Sequence, residues 1–123
     1  MGKIYDILGL IKIERTMEES TLFTHIVLFK LTNPDQEVLR KTKEVLLGMI
    51  HKIPVLLELD IGIDELRSER SYDISLVAKL ATSADLPTYQ THPAHLEVIT
   101  YMKTVVQSSV TVDYDQEVQH ISL

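Results

Sequence analysis

The chain of 123 residues contains no cysteine and no tryptophan. Without cysteine it can form no disulfide bond, no thiolate metal site and no thiol nucleophile. Twelve basic side chains stand against 18 acidic ones, which gives a formal net charge of −6. Because no basic stripe is available to neutralise phosphates, the composition argues against a nucleic-acid-binding protein. The remaining composition, 45% hydrophobic and 24% charged, is ordinary for one globular domain.

The chain also has no long apolar run at its beginning. Residues 1–13 are partly apolar, but four residues interrupt them: Lys3, Asp6, Gly9 and Lys12. This stretch therefore matches neither a secretory signal peptide nor a membrane-spanning helix. We expect a cytoplasmic protein that has no membrane partner.

Residues 1–22 are interpreted as an N-terminal extension that precedes the domain. The apolar positions that share one helical face are Ile4, Ile7, Leu8 and Ile11. They predict an amphipathic helix that docks on the domain or on a partner. A helix lying on a membrane surface is the less favoured alternative. Met17 is a second candidate start, because the regular pattern begins just after it.

The periodicity of the apolar residues predicts four strands and two main helices. The strands lie at residues 24–31, 55–63, 72–80 and 109–114, and the helices at residues 35–51 and 93–106. The order β-α-β-β-α-β predicts an α+β, ferredoxin-like fold, in which a four-stranded antiparallel sheet carries both helices on one face. We place the domain at residues 23–115 and a C-terminal tail at residues 116–123.

Apolar side chains occur on both faces of the first predicted strand. His25, Val27 and Phe29 alternate there with Ile26 and Leu28, so neither face is polar. Two helices can cover only one face of the sheet, and a large uncovered apolar face is typical of an interface. We therefore expect a two-fold homodimer that packs sheet against sheet.

The chain concentrates its rarest side chains at residues 89–95. Two of its five histidines and one of its five tyrosines lie there. Pro93 interrupts the helical pattern, but proline is favourable at the first position of a helix. The pattern predicts a short helix ending near Gln90, a break, and a new helix that opens at Pro93. His95 then lies in the first turn of that helix, beside the positive end of its dipole.

Four short sequence motifs of the predicted domain are informative in combination. They are Thr24–Leu31 (THIVLFKL), Tyr72-Asp73, Tyr89–His95 (YQTHPAH) and Val112–Tyr114 (VDY). In combination they strongly resemble the Dabb family, the stress-responsive dimeric α/β-barrel domain proteins. The resemblance covers roughly Phe23 to Tyr114. It implies a dimeric barrel built from two four-stranded sheets, in agreement with the prediction from periodicity.

One plant branch of the Dabb family consists of polyketide cyclases, which close a linear tetraketide-CoA product into an aromatic acid by an aldol condensation. The resemblance implies that the tyrosine and histidine acting in that branch correspond to Tyr89 and His95. Of two further pocket histidines, one falls on His25 and the other falls on Asp73. The carboxylate at this last position weakens the assignment to the same substrate, although it could still bind a neighbour or take part in proton transfer.

The catalytic prediction assigns a role to each of three residues. His95 is the base, Tyr89 is its partner or the donor to an oxyanion, and His25 orients the site. Asp73 and His92 are predicted to bind substrate. The structural alternatives are that His95 and Tyr89 tie the broken helix together, that His92 caps the new helix, and that Asp73 pairs with His25 or sits at a strand edge.

The predicted function is cofactor-independent enolate chemistry of the cyclase, lyase or isomerase type on a small carbonyl, aromatic or polyketide-like molecule. The rival hypothesis is a non-catalytic small-molecule-binding or stress-response dimer. His92 and His95 have the spacing of a metal-binding pair, but no third ligand is evident, so we expect no metal site. No cofactor and no nucleic-acid partner are expected.

Overall fold

A four-stranded antiparallel sheet forms the body of the protein. The computed structural model describes residues 4–5, 10–11 and 21–117. The elements are β1 (Ile4–Tyr5), β2 (Leu10–Ile11), β3 (Thr21–Leu31), α1 (Gln36–Leu47), β4 (Glu58–Ile63), β5 (Ile74–Leu80), α2 (Asp85–Thr91), α3 (Pro93–Val105) and β6 (Val106–Glu117). The strand order in the main sheet is β4-β5-β3-β6, with every neighbouring pair antiparallel. The predicted ferredoxin-like β-α-β-β-α-β arrangement is confirmed.

The hydrophobic core lies between one face of the sheet and the helices. The alternation in β5 places Ile74, Leu76, Ala78 and Leu80 on this face, each at most 3% exposed. The same core includes Leu46 from α1 and Met102 from α3, so both helices cover this one face. Fully burying a side chain such as Leu46 contributes roughly 1.5–3 kcal/mol.

The opposite face of the sheet is apolar, and no element among the described residues covers it. Ile26 and Leu28 of β3 are half-buried there. On β6, Val110, Val112 and Tyr114 are between 42% and 59% exposed. The register places Val112 beside Ile26 and Val110 beside Leu28. These five side chains, called the open face below, form a continuous apolar surface.

The connection between α1 and β4 is longer than the sequence predicts. Asp35 caps α1 as expected, because its Oδ1 accepts a hydrogen bond from the Val38 N–H at 2.9 Å. The helix ends at Leu47 instead of near His51, which has a left-handed backbone with φ of 70°. Turns then continue through Pro54, so β4 begins at Glu58 and not at residue 55.

Two strands extend beyond the predicted domain limits. Thr21 pairs with Glu117 at the start of β3 and the end of β6. The predicted limits of 23 and 115 therefore fall inside paired strands. Each strand end is too polar to be recognised alone, and pairing with the other satisfies its backbone groups. Of the predicted tail, residues 118–123 lie outside the described residues.

The predicted N-terminal helix falls mostly outside the described residues. Its four described positions form the short strands β1 and β2, with Ile4 opposite Ile11 and Tyr5 opposite Leu10. For these positions the helix prediction is wrong. Isoleucine and tyrosine are enriched in strands, so a shared helical face did not by itself identify a helix. No helix in the described part of the chain is long and apolar enough to span a membrane.

Candidate functional site

The helix break at His92 sets the geometry of the site. His92 has an extended backbone, with φ of −64° and ψ of 140°, and it separates α2 from α3. Pro93 follows at the first helical position, where its missing N–H costs no hydrogen bond. The His92 Nδ1 accepts a hydrogen bond from the Ala94 N–H at 3.0 Å. His92 therefore acts as the cap of α3, one of the predicted alternatives.

Three aromatic rings meet on the inner side of this break. Tyr89, which is 1% exposed, packs against two histidines. Its ring centroid is 4.7 Å from that of His95 and 6.1 Å from that of His25, and both pairs have an edge-to-face geometry. The structure thus brings together all three residues that the sequence predicted as catalytic. We call them the ring trio.

The ring trio lines a cavity of about 210 Å³ between the sheet and α3. Leu46 near the end of α1 and Met49 in the turn that follows it lie on the apolar side of the cavity, together with Met102 of α3. Ser109 and Thr111 of β6 line another side and are themselves exposed. The cavity is therefore apolar at its depth and opens along β6. A largely apolar cleft with a few convergent polar groups is typical of small-molecule sites.

His95 has an imidazole that is kept neutral. Burial lowers the pKa of His95 and the electrostatic interaction with His25 lowers it further, while the backbone carbonyl of Gln90 acts in the opposite direction. The sequence analysis attributed the neutral state of this ring to the helix dipole, but burial is the largest cause of the lowered pKa. The buried Nδ1 of His95 has no hydrogen-bond partner among the described residues. The ring is thus not tied to the helix break through this atom.

The hydroxyl of Tyr89 also lacks a strong partner. It donates to the Sδ atom of Met49 at 4.0 Å, and a thioether is a weak acceptor. Burial raises the pKa of Tyr89 to about 12. The hydroxyl therefore stays protonated at neutral pH, as a donor that a ligand oxygen can attract away from the thioether.

Asp113 is a site residue to which the sequence analysis assigned no role. It lies opposite His25 in the register of β3 and β6, and its Oδ1 is 2.5 Å from the Nδ1 of His25. In the sequence, Asp113 was noted only as part of the Val112–Tyr114 motif. Its position in an exposed strand gave a weak signal, because the pairing with His25 depends on a register that the sequence does not display.

Asp73 lies away from the ring trio. It is buried, its Oδ2 accepts a hydrogen bond from the Leu31 N–H at 2.6 Å, and its Oδ1 lies 3.0 Å from the Nη2 of Arg67. Neither Asp73 nor His92 lines the cavity. The suggested pairing of Asp73 with His25 is not found, because Asp113 occupies that position. Substrate binding by Asp73 or His92 stays a prediction.

No metal centre is found in the described part of the chain. No group of three or more histidine and carboxylate side chains there has the geometry to hold a metal ion. His92, half of the metal-binding pair considered above, uses its Nδ1 for capping α3.

The fold and the cavity define the protein as a ferredoxin-like α+β domain with a cavity lined by a His-Tyr-His cluster. The sequence model of the stress responsive A/B barrel domain, Dabb, matches residues 23–116. The chain belongs to the Dabb family. No curated protein sequence is significantly similar to it.

Several solved structures have the same fold. A dimeric protein of unknown function with a ferredoxin-like fold from Bacteroides fragilis is 27% identical, with a TM-score of 0.69 over 77% of this chain and 96% of that one. A dimeric ferredoxin-like protein of unknown function from Thermobifida fusca is 23% identical, with a TM-score of 0.68 over 78% and 92%. A hydroxynitrile lyase from Passiflora edulis is 14% identical, with a TM-score of 0.67 over 81% and 97%. The Thermobifida fusca and Passiflora edulis proteins are less than 25% identical to this chain, so their similarity shows the shared fold alone.

Proposed function

We propose that this Dabb protein binds a small carbonyl compound in the cavity and catalyses proton transfer at the carbon next to the carbonyl group. The observation that carries this proposal is the ring trio, in which a neutral His95 and a protonated Tyr89 line one cavity. Enolate formation needs two protein groups that act on the same ligand: a base and a hydrogen-bond donor.

The proposed step uses only groups of the chain. The imidazole of His95 removes a proton from the α-carbon, and the electron pair of that C–H bond forms the C=C bond of an enolate. The carbonyl oxygen becomes negatively charged and accepts a hydrogen bond from the Tyr89 hydroxyl. His25, held by Asp113, packs edge-to-face against the tyrosine ring and orients it.

Two outcomes of the enolate are compatible with this site. The proton on His95 can be delivered to a different carbon of an extended enolate, which is an isomerisation. Alternatively the enolate carbon attacks a second carbonyl of the same ligand, which is an aldol cyclisation, and the proton from His95 neutralises the resulting alkoxide. Both outcomes begin with the same proton abstraction, so one assay tests both.

The volume of the cavity limits the buried part of the ligand. An apolar cavity of about 150 Å³ is sufficient to bind benzene. The cavity of about 210 Å³ therefore accommodates one aromatic ring with a small substituent, or an aliphatic chain of similar volume. Any larger portion of a ligand would extend past the open side at β6.

The test is α-proton exchange in D₂O, followed by ¹H NMR with acetophenone and cyclohexanone as enolisable probes. We expect the wild-type protein to exchange the α-protons and the variant His95→Gln to lose this activity. The matched control is His92→Asn, which removes the other imidazole of the corner and retains a good helix cap. Probe binding without exchange in the wild-type protein would instead favour the non-catalytic binding protein.

We also propose that the protein is a homodimer that buries the open face. Continuous apolar surface on a sheet commonly marks an interface, and the Bacteroides fragilis and Thermobifida fusca proteins are described as dimeric. Packing the open face against its own two-fold copy would cover Val112 and Tyr114 and leave the cavity, on the other side of the sheet, accessible.

A further inference from the structure

The described lining of the cavity contains few ionisable side chains. Among the described residues that line it, none is lysine or arginine, and the titratable members are the ring trio alone. Burial and His25 lower the pKa of His95, so its ring is neutral at and above neutral pH. The described lining therefore offers no permanent positive charge to a ligand.

His25 does not supply a net positive charge either. Its Nδ1 lies 2.5 Å from the Oδ1 of Asp113. If the imidazole is protonated, its charge is balanced by this carboxylate, and if it is neutral, the pair carries a net negative charge. A ligand anion close to His25 would therefore meet a pair that is neutral or negative.

The open side of the cavity carries hydroxyl groups and then carboxylates. Ser109, Thr111, Asp113 and Asp115 alternate on the helix-facing side of β6, opposite Phe29, Val27, His25 and Phe23 of β3. The hydroxyl groups can donate to or accept from an uncharged polar group. The carboxylates farther along the strand disfavour an approaching anion by like-charge repulsion.

We propose that the cavity selects its ligand by charge, accepting uncharged carbonyl compounds and excluding carboxylates, and that Thr111 occupies the position that sets this preference. The inference rests on the proposed function, since it concerns the same cavity. Burying an anion without a counter-charge is strongly unfavourable. A neutral carbonyl oxygen needs only a hydrogen-bond donor, and Tyr89 supplies one.

Thr111 is the position where a change of charge acts on the ligand with little effect on folding. Its side chain is exposed and lines the open side of the cavity, and it lies opposite Val27 in the middle of the β3–β6 ladder. A lysine there can reach into the cavity from its open side while its stem lies along β6.

The experiment compares ligands of nearly the same shape and different charge. Acetophenone and benzamide are neutral, benzoate is an anion, and benzamidinium is a cation. Each is titrated into the full-length protein at about pH 8, well above the ordinary pKa of histidine of about 6.5. Binding is followed through the NMR signals of the histidine imidazoles. We expect benzoate to bind the wild-type protein at least about tenfold more weakly than acetophenone.

Three variants locate the preference at Thr111. Thr111→Lys is expected to improve benzoate binding at least about tenfold relative to acetophenone. Thr111→Gln adds length without charge, and Thr100→Lys adds the same charge on the exposed side of α3, so both should keep the wild-type order. If benzoate binds the wild-type protein as tightly as acetophenone, or if Thr100→Lys has the same effect as Thr111→Lys, the inference is wrong.

These outcomes are distinguishable from failure of the proposed function. Tight benzoate binding that shifts the imidazole signals, together with α-proton exchange of acetophenone, would overturn charge selection and leave the enolate chemistry intact. Preferred binding of acetophenone without any exchange would support charge selection and overturn the catalytic proposal. If no probe shifts the imidazole signals, both proposals fail.

Discussion

His25 and Asp113 face each other across the adjacent strands β3 and β6, with their Nδ1 and Oδ1 atoms 2.5 Å apart. A carboxylate at Nδ1 favours the tautomer that carries its hydrogen on that nitrogen. The His25 ring, oriented in this way, packs edge-to-face against Tyr89, which in turn packs against His95. The orientation of the ring trio thus depends on a carboxylate outside it.

Asp113→Asn is expected to reduce the rate of α-proton exchange roughly tenfold or more, because the amide no longer enforces one tautomer of His25. Exchange rates and imidazole ¹⁵N chemical shifts, which distinguish the tautomers, provide the measurement. Asp115→Asn is the matched control, since Asp115 lies on the same face of β6 but opposite Phe23. An equal loss in both variants would contradict a positioning role for Asp113.

Tyr89→Phe keeps the ring and removes only the hydroxyl. Because that hydroxyl donates to a thioether at 4.0 Å, we expect the free energy of unfolding to fall by less than about 1.5 kcal/mol. The exchange rate should fall roughly 10²- to 10³-fold, as for loss of an oxyanion donor. Urea denaturation and the NMR exchange assay measure the two quantities. A large loss of stability with an unchanged rate would show that Tyr89 is structural.

The exchange rate should depend on pH through His95. A base is active in its neutral form, and burial lowers the pKa of His95 from 6.5. The rate is therefore expected to decline as the pH falls, with a midpoint below the ordinary histidine pKa of about 6.5. At the alkaline side Tyr89, with a pKa of about 12, remains a donor. A rate profile with its midpoint at or above 6.5 would contradict this assignment.

Val112→Lys is expected to convert the homodimer to a monomer, because a lysine on the open face would be buried in the interface without a partner. Thr111→Lys is the matched control: the two positions are adjacent on β6, both are exposed, and they lie on opposite faces of the sheet. Size exclusion with light scattering measures the mass of each variant. A monomeric wild-type protein, or dimers in both variants, would contradict the proposed interface.

Asp73→Ala is expected to destabilise the fold and to leave acetophenone binding within about threefold of wild type. The change leaves the Leu31 N–H without its acceptor and frees Arg67, and an unsatisfied buried donor costs about 1–3 kcal/mol. Asp64→Ala, which removes an exposed acceptor for the Arg67 N–H, should cost less. Denaturation and ligand titration test both variants. A selective loss of acetophenone binding would instead indicate that Asp73 contributes to the ligand site.

Local chemistry made the helix break predictable. Proline restricts its own φ and the conformation of the residue before it, so the sequence located the end of α2, the extended residue His92 and the start of α3 to within a residue. The alternation in β5 likewise identified Ile74, Leu76, Ala78 and Leu80 as one buried face. Each feature depends on neighbours in the chain, which a sequence displays directly.

The partners of the charged residues depend on contacts between distant segments. The sequence by itself determined the order of the elements, the family and the helix break that carries Tyr89 and His95. Only the tertiary structure decided that His25 pairs with Asp113 and that Asp73 binds Leu31 and Arg67. The physical reason is strand register: a shift of one residue between β3 and β6 would turn Asp113 to the opposite face of the sheet. Long-range pairing selects that register, and with it the groups that surround the cavity.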